Sequence, residues 1–369
     1  MKPEPLRIVI AGGGTGGHLF PAMAVAEAFR RRDPRSRILF LGTGRPLEKR
    51  QLARAGFEHR VIRAAGIKGQ GVVRRAAAAL QVLLGTAQSL VHLARFRPQV
   101  VIGVGGYSAG PVVLAAWLLH RRIVLHEQNV LPGLTNRLLA RLADRICVSF
   151  EKSAGRFPAD RVRVTGNPLR EIFYRDMGAT RGPGAAPAEG TFALLITGGS
   201  QGARGVNRLV VEALDHLRRP RSMRFVHQTG PAEEEAVAAA YRTRKLTATV
   251  KAFFDDMPRR YAAADLVVCR AGATTVAELA AAGKPAVYIP YPFAADNHQL
   301  HNAMAMVEAG AGRVMEESAA DGAMLARLVD ELMEDRDALA RMAARAAAQA
   351  RPDAAERIVA ECCRLVAGS

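Results

Sequence analysis

A histidine that closes a glycine-rich turn is the first place in this chain where residue types and spacing could do chemistry. Gly12, Gly14 and Gly17 fit G-x-G-x-x-G between the apolar run Arg7–Ala11 and a helical pattern, and His18 follows at once. Glycines let backbone approach a phosphate, and the helix N-terminus behind them offers N–H groups and a positive dipole. The same dipole favours a neutral imidazole, which beside a bound phosphate could take the proton of an attacking hydroxyl. The plain alternative is a capping or hydrogen-bonding histidine. A dinucleotide site needs an acid at the end of the second strand. That strand ends Leu41-Gly42-Thr43-Gly44, and the first acid, Glu48, stands well into the next element. A nicotinamide or flavin is therefore not expected.

Two more turns of this kind occur, Gly103-Val104-Gly105-Gly106-Tyr107-Ser108 and Gly198-Gly199-Ser200-Gln201-Gly202, and none of the three is a P-loop. His126-Glu127-Gln128-Asn129 puts four polar residues directly after Ile-Val-Leu, where a strand would end. In the second half, Arg270–Glu278 (RAGATTVAE) follows a short apolar run. There Thr274 or Thr275 suits a phosphate at a helix start, and Glu278 suits ribose hydroxyls. Asp296-Asn297-His298-Gln299 opens another helical pattern and suits sugar hydroxyls. No D-x-D stands between strands as a metal–nucleotide clamp, and Asp255-Asp256 reads as a helix cap. No bound metal is expected.

These residues need elements to hold them. Short apolar strands alternate with helices from Arg7 to Val148, the pattern of a parallel, doubly wound α/β sheet. Gly178–Gly190 (GATRGPGAAPAEG) breaks it, and it restarts at Phe192–Thr197. The tail from about Asp321 to Val366 reads as helical, with a kink at Pro352. The expected layout is an N-terminal domain over residues 1–165, a linker over 166–190, a second domain over 191–350, and a helix over 351–369 returning to the first domain. Two such halves imply a cleft, with ligands at the carboxyl ends of the strands.

Composition agrees with a globular two-domain chain: 369 residues, 49% hydrophobic, mean hydropathy +0.02. A formal charge of +18, from 52 basic against 34 acidic residues, suits an anionic partner or reflects a plain taste for arginine. Cys147, Cys269, Cys362 and Cys363 lack metal-ligand spacing and read as reduced thiols of a cytoplasmic protein. No signal-peptide layout opens the chain. Ala76–Ala94 carries no Asp, Glu, Lys or Arg but is interrupted by Gln81, Thr86, Gln88, Ser89 and His92, so it reads as a surface helix rather than a membrane span.

Taken in order, Gly13–His18, Gly103–Tyr107, His126–Asn129, Thr165-Gly166-Asn167-Pro168, Gly198–Arg204, Arg270–Glu278 and Asp296–Ala303 resemble the MurG family of peptidoglycan N-acetylglucosaminyltransferases over nearly the whole chain. The resemblance implies a GT-B fold of two Rossmann-like domains. It also implies inverting, β-1,4-forming transfer of N-acetylglucosamine from UDP-N-acetylglucosamine to the C4 hydroxyl of undecaprenyl-pyrophosphoryl-N-acetylmuramoyl pentapeptide. That is a step of cell-wall synthesis on which cell shape and division depend. No cofactor is implied, the nucleotide sugar being a substrate.

By resemblance, Thr15, Gly16, Gly17, Asn129, Arg170, Ser200, Phe254, Ala273, Thr274, Thr275, Val276, Ala277, Glu278 and Gln299 contact the donor. Among these, Glu278 would hold the ribose, Ser200 and Thr275 the diphosphate, and the Phe254 backbone the uracil. Gly13, Gly14, Gly105, Gly106 and Tyr107 would hold the acceptor. His18 is the candidate base, with His126 and Glu127 behind it. The sequence departs from the family at Ala271, where serine is common, and at His298, where glutamine also occurs.

Such an acceptor is carried by a lipid, which implies peripheral work at the cytoplasmic face of the inner membrane. Val72–Leu80 with Arg74 and Arg75 joins apolar and basic groups near Lys68, Arg95, Arg97 and Trp117, as docking on anionic lipid requires. Leu84 and Leu90 are expected in an ordinary buried stripe. Other cell-wall synthesis and division proteins are further expected partners. A second enzyme reading is another UDP-sugar transferase or epimerase. A nucleic-acid-binding protein is disfavoured by 5% aromatics and the lack of a recognised module.

Overall fold

Strands that are apolar on both faces must be covered on both sides, and this chain supplies the cover as helices. The computed structural model describes residues 5–13, 16–64, 72–178, 191–199 and 201–368, with backbone only for 72–78. The chain divides into two units, Met1–Arg170 together with Arg351–Ser369, and Glu171–Ala350.

In the first unit β1 (Arg7–Ala11), β2 (Arg37–Gly42), β3 (Glu58–Val61), β4 (Val100–Gly103), β5 (Arg122–Glu127), β6 (Arg145–Val148) and β7 (Val162–Val164) form a parallel sheet in the order β3-β2-β1-β4-β5-β6-β7. The helices between them are α1 (Gly16–Arg32), α2 (Pro46–Arg54), α3 (Val72–Phe96), α4 (Ala109–Leu118), α5 (Leu134–Leu139) and α6 (Glu151–Ala154). Alternate residues of β1 serve opposite faces. Ile8 and Ile10 pack with Phe29 and Phe40, while Val9 and Ala11 pack with Leu41, Val101 and the α4 residues Val112 and Val113. Register sets Ala11 against Gly103, and Gly103 against Leu125. The segments after β1, β4 and β5 therefore leave the sheet side by side.

The second unit holds α7 (Glu171–Gly178), α8 (Arg204–Ala213), α9 (Glu234–Thr243), α10 (Met257–Ala263), α11 (Ala273–Ala282), α12 (His298–Glu308), α13 (Gly322–Glu334) and α14 (Arg336–Ala348). They surround β8 (Phe192–Thr197), β9 (Met223–Gln228), β10 (Ala248–Lys251), β11 (Leu266–Cys269), β12 (Ala286–Tyr288) and β13 (Gly312–Val314), a parallel sheet in the order β10-β9-β8-β11-β12-β13. Both sheets reverse direction of winding at their first strand, between β1 and β4 and between β8 and β11. That reversal is where open α/β sheets receive ligands.

Several boundaries differ from the sequence reading. α1 starts at Gly16, ahead of His18, and runs through Pro21. Of the stretch read as linker, Gly166 to Arg170 stay with the first unit, and Glu171–Gly178 is a helix whose Phe173 ring packs 6.2 Å from Tyr261. Residues 179–190 lie outside the described residues. The tail is three helices, with a break at Asp335 besides the one expected at Pro352. Asp335 ends α13 and caps α14, its carboxylate accepting from Ala338 N at 2.8 Å. After the second break α15 (Ala354–Ala367) packs Ile358, Val359 and Cys362 into the core beside Phe29.

Candidate functional site

At the carboxyl edge of the first sheet the glycine turns are shaped by contact. Gly12 has φ +129°, and a Cβ there would lie 2.5 Å from Val104 Cγ2 and 2.8 Å from Gly105 O. Gly105, at φ +86°, lies under the His18 ring: a Cβ on it would be 3.2 Å from Cδ2 and 3.3 Å from Nε2. Half-buried His18, in the first turn of α1, is thus stacked on the Gly105-Gly106 turn that follows β4. Gly13 is buried beside them, and Tyr107 takes a hydrogen bond on its hydroxyl from Arg45, 2.6 Å away. Gly16 and Gly17 open α1. Gly14 and Thr15 lie outside the described residues, as does Ser200.

The residues after β5 form one bonded system. Glu127, buried, accepts from Asn129 N at 2.9 Å, Asn129 Nδ2 at 3.2 Å, Gly133 N at 3.0 Å and Asn136 Nδ2 at 2.8 Å. His126 is fully buried: Gln128 Nε2 donates to its Nδ1 at 3.1 Å, and its Nε2–H donates to Gly166 O at 3.3 Å. Burial pushes its pKa down to about 4, with the bond to Gly166 opposing and the nearby His18 adding to the fall. His126 and Glu127 were candidates for acid–base work. Their geometry instead suits residues that position the Asn129 loop, because every polar atom faces protein. His18 is the one of the three with a partly open ring. Arg170 holds its guanidinium 5.0 Å over the Phe20 ring of α1.

Glu48 does reach the end of β2, contrary to its distance along the chain. Its carboxylate fills the space over Gly42, where a Cβ would meet Oε1 at 1.6 Å, and Oε1 lies 3.1 Å from His59 Nε2. It is buried beneath Gly13 rather than presented to a ribose.

In the second unit α11 begins at Ala273 with Gly272 as its cap and no capping side chain, so its first N–H groups point out of the helix end unclaimed by helix carbonyls. Ala273 and Val276 are buried, Ala277 is half-buried, and Thr274 and Thr275 stand in the first turn; Thr274 Oγ1 is buried with no partner among the described residues. Glu278 Oε2 accepts from the Tyr261 hydroxyl at 3.0 Å. Burial, with Glu278 adding, holds that hydroxyl protonated. Buried Arg270 donates to Ile289 O and Pro290 O and pairs with Glu317 at 2.6 Å, fixing the start of the turn. Gln299 Oε1 accepts from Ala271 N and Tyr291 N, and His298 Nδ1–H donates to Ala295 O at 2.8 Å.

The Phe254 N–H is donated to Gln228 Oε1 at 2.9 Å, and its buried ring lies under Arg260. Asp256 does sit at the N-cap of α10, but its carboxylate pairs with Arg260 instead of capping, because the guanidinium one turn on offers a charge. Sequence reasoning missed Gln228, Arg45 and Asn136. A polar residue closing an apolar strand marked Gln228, and nothing local marked the other two. Among the described residues no group of three or more His, Cys, Asp or Glu could hold a metal ion, and no helix is long and apolar enough to cross a membrane.

Residues 8–148 match the glycosyltransferase family 28 N-terminal domain, and residues 193–358 match the family 28 C-terminal domain. The chain belongs to glycosyltransferase family 28, and its two Rossmann-like units are those of the GT-B fold. A Geobacter metallireducens relative named "UDP-N-acetylglucosamine--N-acetylmuramyl-(pentapeptide) pyrophosphoryl-undecaprenol N-acetylglucosamine transferase" is 45% identical, covering 96% of this chain and 98% of its own. A Geobacter sulfurreducens relative of the same name is 44% identical over the same shares. The crystal structure of Acinetobacter baumannii MurG is 33% identical with a TM-score of 0.80, covering 98% of this chain and all of that one.

Proposed function

We propose that this chain moves N-acetylglucosamine from UDP-N-acetylglucosamine to the C4 hydroxyl of undecaprenyl-pyrophosphoryl-N-acetylmuramoyl pentapeptide, with inversion at the anomeric carbon. The end-to-end match to relatives named for that transfer carries the reading. The acceptor oxygen bonds to the anomeric carbon as the bond to the UDP oxygen breaks, and UDP leaves with the electron pair. His18 takes the hydroxyl proton, its ring oriented by the Gly105-Gly106 turn, while Glu127 and His126 hold Asn129 in place.

The donor lies along the carboxyl edge of the second sheet. The first turn of α11 with Thr274, Thr275 and Ser200 takes the diphosphate, Glu278 takes the ribose, the Phe254 loop takes the base, and the Gln299 amide nitrogen serves a sugar hydroxyl. Gly13, Gly14, Gly105, Gly106 and Tyr107 take the acceptor.

Work on a lipid-borne acceptor implies peripheral docking on the anionic cytoplasmic face of the inner membrane, and the first unit supports it. α3 buries Gly85, Thr86, Ser89 and Leu93, which turns Leu80 and Leu83 outward at 55% and 63% exposure. α3 packs on α4, whose Trp117 is 49% exposed. Trp117 borders a cavity of about 530 Å³ also lined by Arg121, Arg122, Arg145 and Arg161, where Asp144 pairs with Arg122 and Asp160 with Arg161. Leu84 and Leu90 are half-buried. Apolar side chains beside arginines are what an interfacial surface needs. Lys68, Arg74 and Arg75, in the stretch 65–78, lie outside the described side chains.

The test is a transfer assay with labelled UDP-N-acetylglucosamine and a short-chain lipid acceptor. Label appearing in the lipid is the expected result. Nucleotide binding without transfer would favour the epimerase reading, and no nucleotide binding would overturn both.

A further inference from the structure

Gln228 closes β9, the strand between β8 and β10, and its side chain reaches the loops that follow both neighbours. It is buried. Toward β8, its Nε2 donates to Thr197 Oγ1 at 3.2 Å and to Gly199 O at 3.0 Å. Toward β10, its Oε1 accepts from Phe254 N at 2.9 Å. The amide orientation is dictated by these partners. Exchanging O and N would set the NH2 against the Phe254 N–H and the oxygen against the Gly199 carbonyl.

The partners are not passive. Thr197 Oγ1 also accepts from Gly199 N at 3.1 Å, and Gly199 O also accepts from Gly202 N at 3.1 Å. Gly199 is therefore bonded to Gly202 and tied through one amide to the loop bearing Phe254. In the reading above, that turn faces the donor diphosphate and that loop the base.

We propose that Gln228 is a positioning residue for the nucleotide, a buried amide that fixes the separation between the base-holding loop and the diphosphate-holding turn. It touches neither group. It makes the two half-sites act as one, so that a ligand spanning both gains from it and a ligand filling one does not. This rests on the assignment of the nucleotide to the second unit.

The test uses the full chain and Gln228→Met, which keeps the side-chain length and removes all three bonds. Uridine, UMP and UDP are titrated calorimetrically, and KM and kcat are measured for both substrates. The expected result is a loss of about tenfold or more in UDP affinity, with uridine affinity changed by less than about threefold, on the scale where tenfold is one decade of Kd. KM for the nucleotide sugar should rise, with acceptor KM unchanged. Gln228→Leu removes the same three bonds and should reproduce the split if the methionine variant folds poorly. Parallel losses for all three ligands, or no loss in either variant, would overturn the inference. A wild-type chain that binds none of the three would overturn the nucleotide assignment, and the inference with it.

Discussion

Asn136 donates to Glu127 Oε2 at 2.8 Å, and the same carboxylate receives the backbone and side-chain N–H groups of Asn129. One buried acid thereby ties the end of β5, the loop after it and the start of α5. Glu127→Gln replaces one accepting oxygen with an NH2 that faces other N–H groups. Each lost bond costs about 1 kcal/mol, and the stranded donors add to it. The expected outcome is a chain that stays folded with a lower Tm and a kcat reduced by roughly ten- to a hundredfold. Steady-state kinetics with a soluble acceptor checks it, and an unchanged kcat would show that the loop needs no such anchor.

Gly105 supports the His18 ring at φ +86°. Gly105→Ala forces a left-handed residue, costing about 1–2 kcal/mol, and sets a methyl against Cδ2 and Nε2. The ring must tilt. We expect kcat to fall by at least about tenfold, in line with a displaced base, with UDP affinity unchanged by calorimetry. Loss of both together would mean that the turn serves the donor instead.

Two buried histidines make stability depend on pH. Burial lowers His126 to about 4 and His227 to about 3. The unfolded chain protonates its histidines near pH 6.5, so below that value it takes up protons that the folded chain refuses. Stability is full above about pH 6.5 and falls with pH towards 4 for His126 and towards 3 for His227, by up to about 1.4 kcal/mol per unit for each. Urea midpoints at pH 7.5 and 5 should differ. His227→Gln should narrow the gap, and an equal gap in that variant would count against the assignment.

The outward-facing Leu80 and Leu83 give a second membrane test beside the basic residues. A near-surface arginine contributes about 1 kcal/mol on anionic lipid, so Arg74→Glu with Arg75→Glu should weaken vesicle binding by at least about tenfold. Leu80→Ser with Leu83→Ser should weaken it on neutral vesicles as well. Sedimentation with vesicles of each kind reads this out, and undiminished binding in both double variants would sink the docking surface.

Much of this was legible in the sequence, for reasons that particular elements make plain. Arg7–Ala11 and Phe192–Thr197 are strands to the residue, because each apolar run ends at a glycine. β7 has three residues and α7 eight, too short for a period, and α7 is held in place by Phe173 against Tyr261. The order of the motifs pointed to both sheet edges. It could not separate an open His18 from a sealed His126, since both follow a strand or turn and only packing decides. Nor could it find the bonds of Gln228, which cross to the loops after two neighbouring strands.

The central claim is transfer with inversion, and proton NMR of the product tests it most directly. Full-length chain, UDP-N-acetylglucosamine and a short-chain lipid acceptor should yield a β-linked disaccharide and one UDP per linkage formed. An α-linked product, or conversion of the nucleotide sugar to its C2 epimer with the acceptor untouched, would contradict the account.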